Sequence, residues 1–344
     1  MTFTSNSRRN LITTIVGSTL WPLATAANPR TLTIAMVVPH EDQSTERGFK
    51  SALEKSGMNI RYVSVRNHAG ISAEALRAQV LATQPDLIYS WGTPTTLALA
   101  GKVDEPYTTN SLTHIPIVFT EVTDPVAAGL LRSLNGPSRN LTGVSHVPPL
   151  PVQMNAMLAY RPFKRIGYLH NPAEPNSAII LKNLREIAPS YGFDVIEAQL
   201  PVDAIKGPNP ADIAPKVAEL VLQKADLLYV GPITFLAFTQ RDAVTQAAMH
   251  HKLPTFCTTE SIVRKSGCLF GLFSNDANVG RFAASMAQEI LSGQKKAQQI
   301  PASTLQRFSL LVNMQTAHAL ELYPPMLLLN VAEVINAPKT VSSQ

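Results

Sequence analysis

The chain has 344 residues, 45% of them hydrophobic and only 15% charged, with 29 Lys and Arg against 24 Asp and Glu for a net charge of +5. That is too apolar for a disordered chain, and without a run of 18 apolar residues it is no polytopic membrane protein. The length suits two domains, and two cysteines exclude a disulfide scaffold or a four-cysteine zinc site.

The chain opens on a targeting pattern. Arg8 and Arg9 are the only charged side chains before Arg30, and an uncharged stretch, Leu11 to Leu23, follows them. Ala24-Thr25-Ala26 is an A-x-A cleavage pattern, and Ser7-Arg8-Arg9-Asn10-Leu11-Ile12 fits the twin-arginine export signal. Residues 1–26 are read as an export signal that delivers a soluble protein to the periplasm. No cysteine lies near the cleavage pattern to carry a lipid anchor. Without this segment 27 basic side chains face 24 acidic ones, a net charge of +3, so the sequence pI of about 9.2 is a weak guide. Arg264-Lys265 and Lys295-Lys296 read as solvated faces. No basic stripe interleaved with aromatics supports nucleic-acid binding.

From Thr31 onward β-branched or aromatic runs alternate with helical stretches. Thr31–Val38, Ile60–Val65, Asp86–Ser90 and Ile115–Phe119 read as strands, with helices over Ser44–Ser56, Ser72–Thr83 and Pro94–Lys102 between them. Ser72 suits the cap of the second helix. After a Pro-rich stretch, Val147 to Val152, the pattern resumes. Arg165–His170, Phe193–Glu197, Asp226–Val230 and Thr255–Cys257 read as strands, separated by helices near Ser177–Tyr191, Asp212–Lys224 and Phe235–His251. Ala277–Gly293 is one more helix, and Phe308–Val312 with Pro324–Ile335 adds elements to one or both lobes. Repeated βαβα units imply an α/β fold: two Rossmann-like lobes with parallel sheets and helices on both faces. We assign residues 27–146 with about 272–305 to the first lobe and 147–271 with about 306–338 to the second, leaving 339–344 as a tail.

Parallel sheets bind ligands at the carboxyl ends of their strands. Those loops carry Pro39-His40-Glu41-Asp42, Asn67-His68, Ser90-Trp91-Gly92-Thr93, Thr120-Glu121, Asn171-Pro172, Gly231-Pro232-Ile233-Thr234 and Thr258-Thr259-Glu260. Hydroxyls, amides and glycine backbones of this kind suit hydrogen-bonded recognition of a small polar molecule and are a poor set for covalent catalysis. There is no G-x-G-x-x-G after the first strand, no G-x-x-x-x-G-K-[ST] and no G-x-S-x-G, so dinucleotide, nucleotide and serine-hydrolase readings lack an anchor. His250-His251 lacks the i, i+4 spacing of a helical metal site, and no metal or other cofactor is expected. His40 with Glu41 or Asp42 is the one candidate catalytic group; its alternative is a solvated loop histidine. Cys257 and Cys268 lie in one stretch, which excludes a two-thiol mechanism across a cleft. They form either a local disulfide or two buried thiols.

The chain resembles the solute-binding proteins of ABC transporters, in the branch related to aromatic amino-acid (tryptophan and tyrosine) binding proteins. The resemblance rests on Pro39-His40, Glu46-Arg47-Gly48-Phe49-Lys50, Asn67, Pro85-Asp86-Leu87-Ile88, Gly92-Thr93-Pro94 and Ile115-Pro116-Ile117-Val118-Phe119. It continues through Val122-Thr123-Asp124-Pro125-Val126, Asn140-Leu141-Thr142-Gly143-Val144-Ser145, Arg165-Ile166-Gly167-Tyr168, Asn171-Pro172, Asn176-Ser177, Val312-Asn313 and Pro324-Pro325 before a last helix. It implies a type I periplasmic binding protein fold, two lobes joined by a multi-strand hinge and closing over one small ligand. It also implies delivery to an ABC permease in the membrane by a monomer that is not an enzyme. The alternative role is a sensor that passes its bound state to a signalling partner.

A zwitterionic ligand needs carboxylates for its ammonium and N–H, hydroxyl or amide donors for its carboxylate. Asp124 and then Glu121 are the candidates for the first. Ser90, Gly92 and Thr93 suit the second, with Asn171, Ser177 and Thr234 facing them from the other lobe. Asp124 before Pro125 also reads as a cap, and Gly92-Thr93 as turn chemistry. Where the branch carries an Asp-Asn pair this chain has Ile233-Thr234. Where the branch has Gly-x-Asp-Tyr it has Asn275-Asp276-Ala277-Asn278. The expected ligand is therefore a small polar or amphiphilic molecule, an amino acid or a related metabolite.

Overall fold

Leu32–Val38 (β1) reads Leu-Thr-Ile-Ala-Met-Val-Val and is buried from Thr33 onward. Such a continuous apolar run marks a central strand covered on both faces of a parallel sheet. In the computed structural model, which describes residues 1–2, 30–41, 43–68, 70–105, 111–135, 139–203 and 207–336, β1 opens a series of βα units. The export-signal reading apart from Met1 and Thr2, Asp42 and the 339–344 tail lie outside the described residues.

The first series is β1, α1 (Ser44–Glu54), β2 (Ile60–Arg66), α2 (Ala73–Ala82), β3 (Leu87–Trp91), α3 (Thr93–Ala100), β4 (Ile117–Val122) and β5 (Leu141–Ser145). The second series begins with α4 (Leu150–Tyr160), β6 (Arg165–His170), α5 (Pro175–Tyr191), β7 (Asp194–Gln199) and a hairpin of β8 (Val202–Asp203) with β9 (Gly207–Pro208). It continues with α6 (Ile213–Leu222), β10 (Leu227–Val230), α7 (Arg241–His250), β11 (Thr255–Cys257), α8 (Glu260–Lys265) and β12 (Phe270–Phe273). Then follow α9 (Asp276–Leu291), β13 (Ser303–Thr304), β14 (Ser309–Asn313), α10 (Met314–Leu320), α11 (Met326–Leu329) and β15 (Glu333–Ile335).

Six strands pair in the order β13-β5-β4-β3-β1-β2, all parallel. Seven pair in the order β15-β14-β12-β11-β10-β6-β7, parallel except where β14 runs against β12. These sheets are the two lobes. The chain passes between them after β5, after β12 and after β13, so the chain returns to the first sheet after β12 and adds β14 and β15 to the second only afterwards.

Several predicted elements recur within a residue or two, and Ser72 does cap α2, accepting from the Ala75 N–H at 3.1 Å. The Pro-rich junction is short, because the Leu150–Tyr160 part of it is helix. The single helix expected over Phe235–His251 is two pieces. A π-helical turn, Thr234–Thr239, precedes α7, and Gln240 separates them. Cys257 and Cys268 are bonded as a disulfide beside the second lobe's core.

One close approach fixes α9 against the first lobe. Gly280 of α9 faces the Thr45 carbonyl of α1 so tightly that a Cβ there would sit 1.9 Å from its oxygen, and a Cβ on Gly48 would sit 2.3 Å from the Ala277 oxygen. Only glycine permits this separation. The crossing sets Thr45 and Glu46 beside the start of α9, where Asp276 lies.

Candidate functional site

The carboxyl ends of both sheets face one another across the crossings. Trp91, the last residue of β3, is buried; its ring meets His40 edge-on at 4.5 Å and Phe238 edge-on at 4.8 Å. Phe238 belongs to the π-helical turn of the second lobe, so this is a contact between lobes. Ile179 of α5 packs against the first lobe's core in the same way. The widened π geometry is a common way to aim one side chain at a site. It explains why helical periodicity alone misplaced the start of α7 and missed Phe238.

The second lobe's rim is organised by Glu174, just before α5. Its Oε2 accepts the Thr234 N–H at 2.7 Å, and its Oε1 accepts the Phe235 N–H at 2.8 Å and Asn171 Nδ2 at 3.1 Å. Burial raises its pKa, opposed by those backbone N–H groups. The carboxylate therefore anchors the π-helical turn, and sequence reading passed over it. Asn171 and Ser177 share in this local work. Asn171 Oδ1 accepts from the Ala173 N–H, and Ser177 Oγ accepts the Asn171 N–H at 2.9 Å and lies 3.0 Å from the Tyr168 hydroxyl. Thr234 is positioned through its backbone.

On the first lobe, Ser90 Oγ is 2.8 Å from Thr96 Oγ1, which donates to the Gly92 carbonyl. Gly92 precedes α3 with φ 82°, and Thr93 Oγ1 accepts the Thr123 N–H at 3.3 Å. These groups build the β3–α3 turn. Asp124 Oδ1 accepts from the Val126 and Ala127 N–H groups, the capping geometry its place before Pro125 allows. The segment it opens is a turn and not a helix. Asp124 also lines a cavity of about 270 Å³ beside the hinge, with Thr123, Ser145, Pro148, Gln153, Ile180 and Tyr229.

Glu121 is different. It has φ 56°, inside a register shift between β4 and β5 at Phe119/Val122. A non-glycine residue there is strained, and strain of this kind collects at functional sites. The buried carboxylate accepts from Thr45 Oγ1 at 3.1 Å and lies 3.3 Å from His146 Nε2. Burial and then repulsion from Asp276 push the Glu121 pKa well above its usual value, while burial lowers that of His146 to about 3. Both shifts favour the uncharged form, so burial works against an ion pair here.

Nearby, Tyr89 donates to Glu46 Oε1 at 2.8 Å and accepts from Thr120 at 2.8 Å. Glu260 of the second lobe accepts the Asp276 N–H at 3.0 Å and Asn275 Nδ2 at 3.2 Å. Asp276 is pushed up to about 8, by burial first and then by Glu260 and Glu46. Four carboxylates thus converge where α1, β4, α8 and α9 meet. Asp276 lies in Asn275-Asp276-Ala277-Asn278, the segment that stands where the branch has Gly-x-Asp-Tyr.

Among the described residues, the buried polar atoms on these rims without a hydrogen-bond partner include Thr123 Oγ1, Asn176 Oδ1, Thr259 Oγ1 and Ser274 Oγ, beside ring nitrogens of His40, His146 and His170. The first four stand after β4, at the start of α5, after β11 and after β12. Buried polar groups are costly unless paired, so they are fitted to a polar guest. The candidate catalytic His40 is packed on Trp91, with Nδ1 2.8 Å from the Glu41 carbonyl. No group of metal ligands occurs among the described residues.

Two parallel-sheet lobes that touch through aromatic rings over an array of open polar atoms define a binding protein for a small molecule. The chain belongs to the ABC transporter substrate binding protein family, whose model matches residues 31–335. It is 29% identical over 297 residues, 84% of this chain and 80% of the relative, to a tyrosine-binding protein of Clostridioides difficile strain R20291. Among solved structures it is similar to a conserved domain protein of Vibrio cholerae, at 26% identity and TM-score 0.76 over 89% of this chain and 99% of that one. An ABC domain of Streptococcus pneumoniae in complex with L-Trp shares the fold at 22% identity and TM-score 0.75, over 89% and 100% of the two chains. The family implies a small-molecule ligand and an ABC permease as partner. Among the described residues no helix is long and apolar enough to cross a membrane.

Proposed function

We propose that this protein captures an amino acid or a related small amphiphile between its lobes in the periplasm and delivers it, as a monomer, to an ABC importer. The observation that carries this reading is the pairing of Trp91 with Phe238 between the lobes, together with the unpartnered polar atoms of Thr123, Asn176, Thr259 and Ser274 at strand and helix ends. Aromatic walls with a few convergent polar groups are the makeup of a small-molecule site. The tyrosine and L-Trp in the names of the relatives agree with it.

Ligand contact falls to Glu121, Asp276 and those four polar residues. Ser90, Gly92, Thr93, Asn171, Ser177 and Thr234 hold the loops that present them, and Asp124 borders the hinge-side cavity. The moving bodies are residues 27–146 with the return segment up to about 305, against the rest. Ligand contacts from both bodies favour the closed state that the permease reads. Arg8-Arg9 and Ala24-Thr25-Ala26 support export by the twin-arginine route.

The test is mass spectrometry of small molecules released from protein purified without added ligand, followed by thermal shifts against an amino-acid library. A ligand at a hundred times its Kd adds about 2.7 kcal/mol of stability. A folded protein that releases nothing and responds to no member of the library contradicts the proposal.

A further inference from the structure

The four converging carboxylates do not belong to one body. Glu46 and Glu121 sit on the first lobe, Asp276 on α9, which packs against α1 of that lobe, and Glu260 on the second. Their neighbours do not neutralise them all. Glu46 accepts from Tyr89 and from the Gln43 N–H, both uncharged donors. Arg264 binds Glu260 and, with both terminal nitrogens, Glu333 on β15; Lys265 is exposed. Among the described residues Glu121 has the Thr45 hydroxyl and His146. His146, 3% exposed and on the crossing after β5, points its Nε2 at Glu121 from 3.3 Å, and neither ring nitrogen makes a hydrogen bond. Thr259 and Ser274, adjacent in sequence to Glu260 and Asn275, add two buried hydroxyls without partners. Although Thr259 is the first residue before α8, its hydroxyl makes no cap.

We propose that Glu121 and Asp276 form a proton-exchange site for a primary ammonium group, so that an amine-bearing ligand closes the lobes by displacing protons from this cluster to solvent. In the ligand-free protein the O–H protons of these carboxyls relieve the crowding of negative charge. When R–NH3+ enters, each carboxyl that ionises sends its proton to bulk water, and the ammonium takes over the neutralising role. Nothing is oxidised or reduced. Because Glu260 stands on the other body from Glu46, Glu121 and Asp276, one cation shared among them draws the two bodies together. A sugar or a carboxylic acid without an amine cannot do this. The inference rests on the proposed function and narrows its ligand class.

Two measurements on the mature full-length protein decide it. The first uses no ligand: melting temperature from pH 6.5 to 9 for wild type, E121Q and D276N, whose amides mimic the protonated carboxyl. Wild type should lose stability as pH rises and D276N should flatten the profile. A flat wild-type profile, or identical slopes in all three, overturns the proposal.

The second titrates L-tyrosine, tyramine and 3-(4-hydroxyphenyl)propionate at pH 7.5 by calorimetry in phosphate and in Tris, whose different ionisation heats report protons released. The amine-bearing probes should bind with release of protons, fewer in D276N, and the amine-free analogue at least 100-fold more weakly. Tight binding without proton release, or equal binding of the amine-free analogue, overturns it. If no probe binds, the amino-acid reading falls, while the pH profiles still judge the cluster.

Discussion

Glu174 and Glu121 are both buried glutamates at the carboxyl end of a strand, one on each lobe, and the fold uses them in opposite ways. Glu174 has three N–H donors within 3.1 Å, and it fixes the turn that carries Phe238. Glu121 has one hydroxyl, a neutral histidine and three other carboxylates around it, on a strained backbone. A buried carboxylate with its acceptor sites filled is held in place; one left short of donors and cations is costly, and the proposed function gives that cost to the ligand to relieve.

The largest way to break that contrast is Glu174→Ala, which strands the Thr234 and Phe235 N–H groups and releases the π-helical turn. We expect a loss of about 3 kcal/mol in denaturant unfolding. A loss below about 1 kcal/mol would show that Glu174 is not the anchor. Gly280→Ala comes next. Its methyl meets the Thr45 carbonyl and pushes α9 from α1, separating Asp276 from Glu46 and Glu121, at about 2 kcal/mol by the usual scale of overpacking. An unchanged melting temperature would refute the close crossing.

The pH dependence has a definite sign. Glu121 and Asp276 have folded pKa values above those of the unfolded chain, so their contribution is fully present below about pH 4 and is lost as pH rises through the folded values, near 8 for Asp276. His146, depressed to about 3, works the other way and costs stability as pH falls below about 6.5. Melting temperature should therefore decline from about pH 6.5 to 9. Glu121→Gln should lessen the decline, and Glu174→Gln should lessen it less, because the Thr234 and Phe235 N–H groups oppose the rise of the Glu174 pKa. The smallest effect belongs to Phe238→Ala. Losing the edge contact with Trp91 removes about 1 kcal/mol of lobe–lobe attraction, which small-angle scattering would register as a larger radius of gyration in the ligand-free protein.

Much of this architecture was legible in the residues. Apolar runs such as Leu32–Val38 and Arg165–His170, with helices between them, required parallel sheets, and the carboxyl-end rule pointed to the Trp91, Glu121 and Thr259 loops. What escaped depends on contacts far apart in sequence. Nothing local to Phe235–His251 marks a π-helical turn, because its cause is Glu174, about sixty residues earlier. Likewise, nothing local to Asn275-Asp276-Ala277-Asn278 places Asp276 near Glu46; the Gly280–Thr45 crossing does. Ser90, Thr93 and Ser177 read from the sequence as polar groups at strand ends, and they lie at or after those ends in the structure. Their hydroxyls complete local turns, and their neighbours Thr123 and Asn176 keep open atoms. Sequence separates such neighbours poorly, since the choice is one of side-chain direction.

The contrast between the two glutamates is tested most directly by titrating one ligand into three proteins. The ligand is the molecule released from the purified protein or, if none is released, the strongest hit of the amino-acid screen. The proteins are wild type, E121Q and E174Q, compared by calorimetry at pH 7.5. The account predicts that E121Q weakens Kd at least 100-fold while E174Q stays within about threefold of wild type. Equal losses in the two variants, or an E121Q protein that binds like wild type, would contradict it.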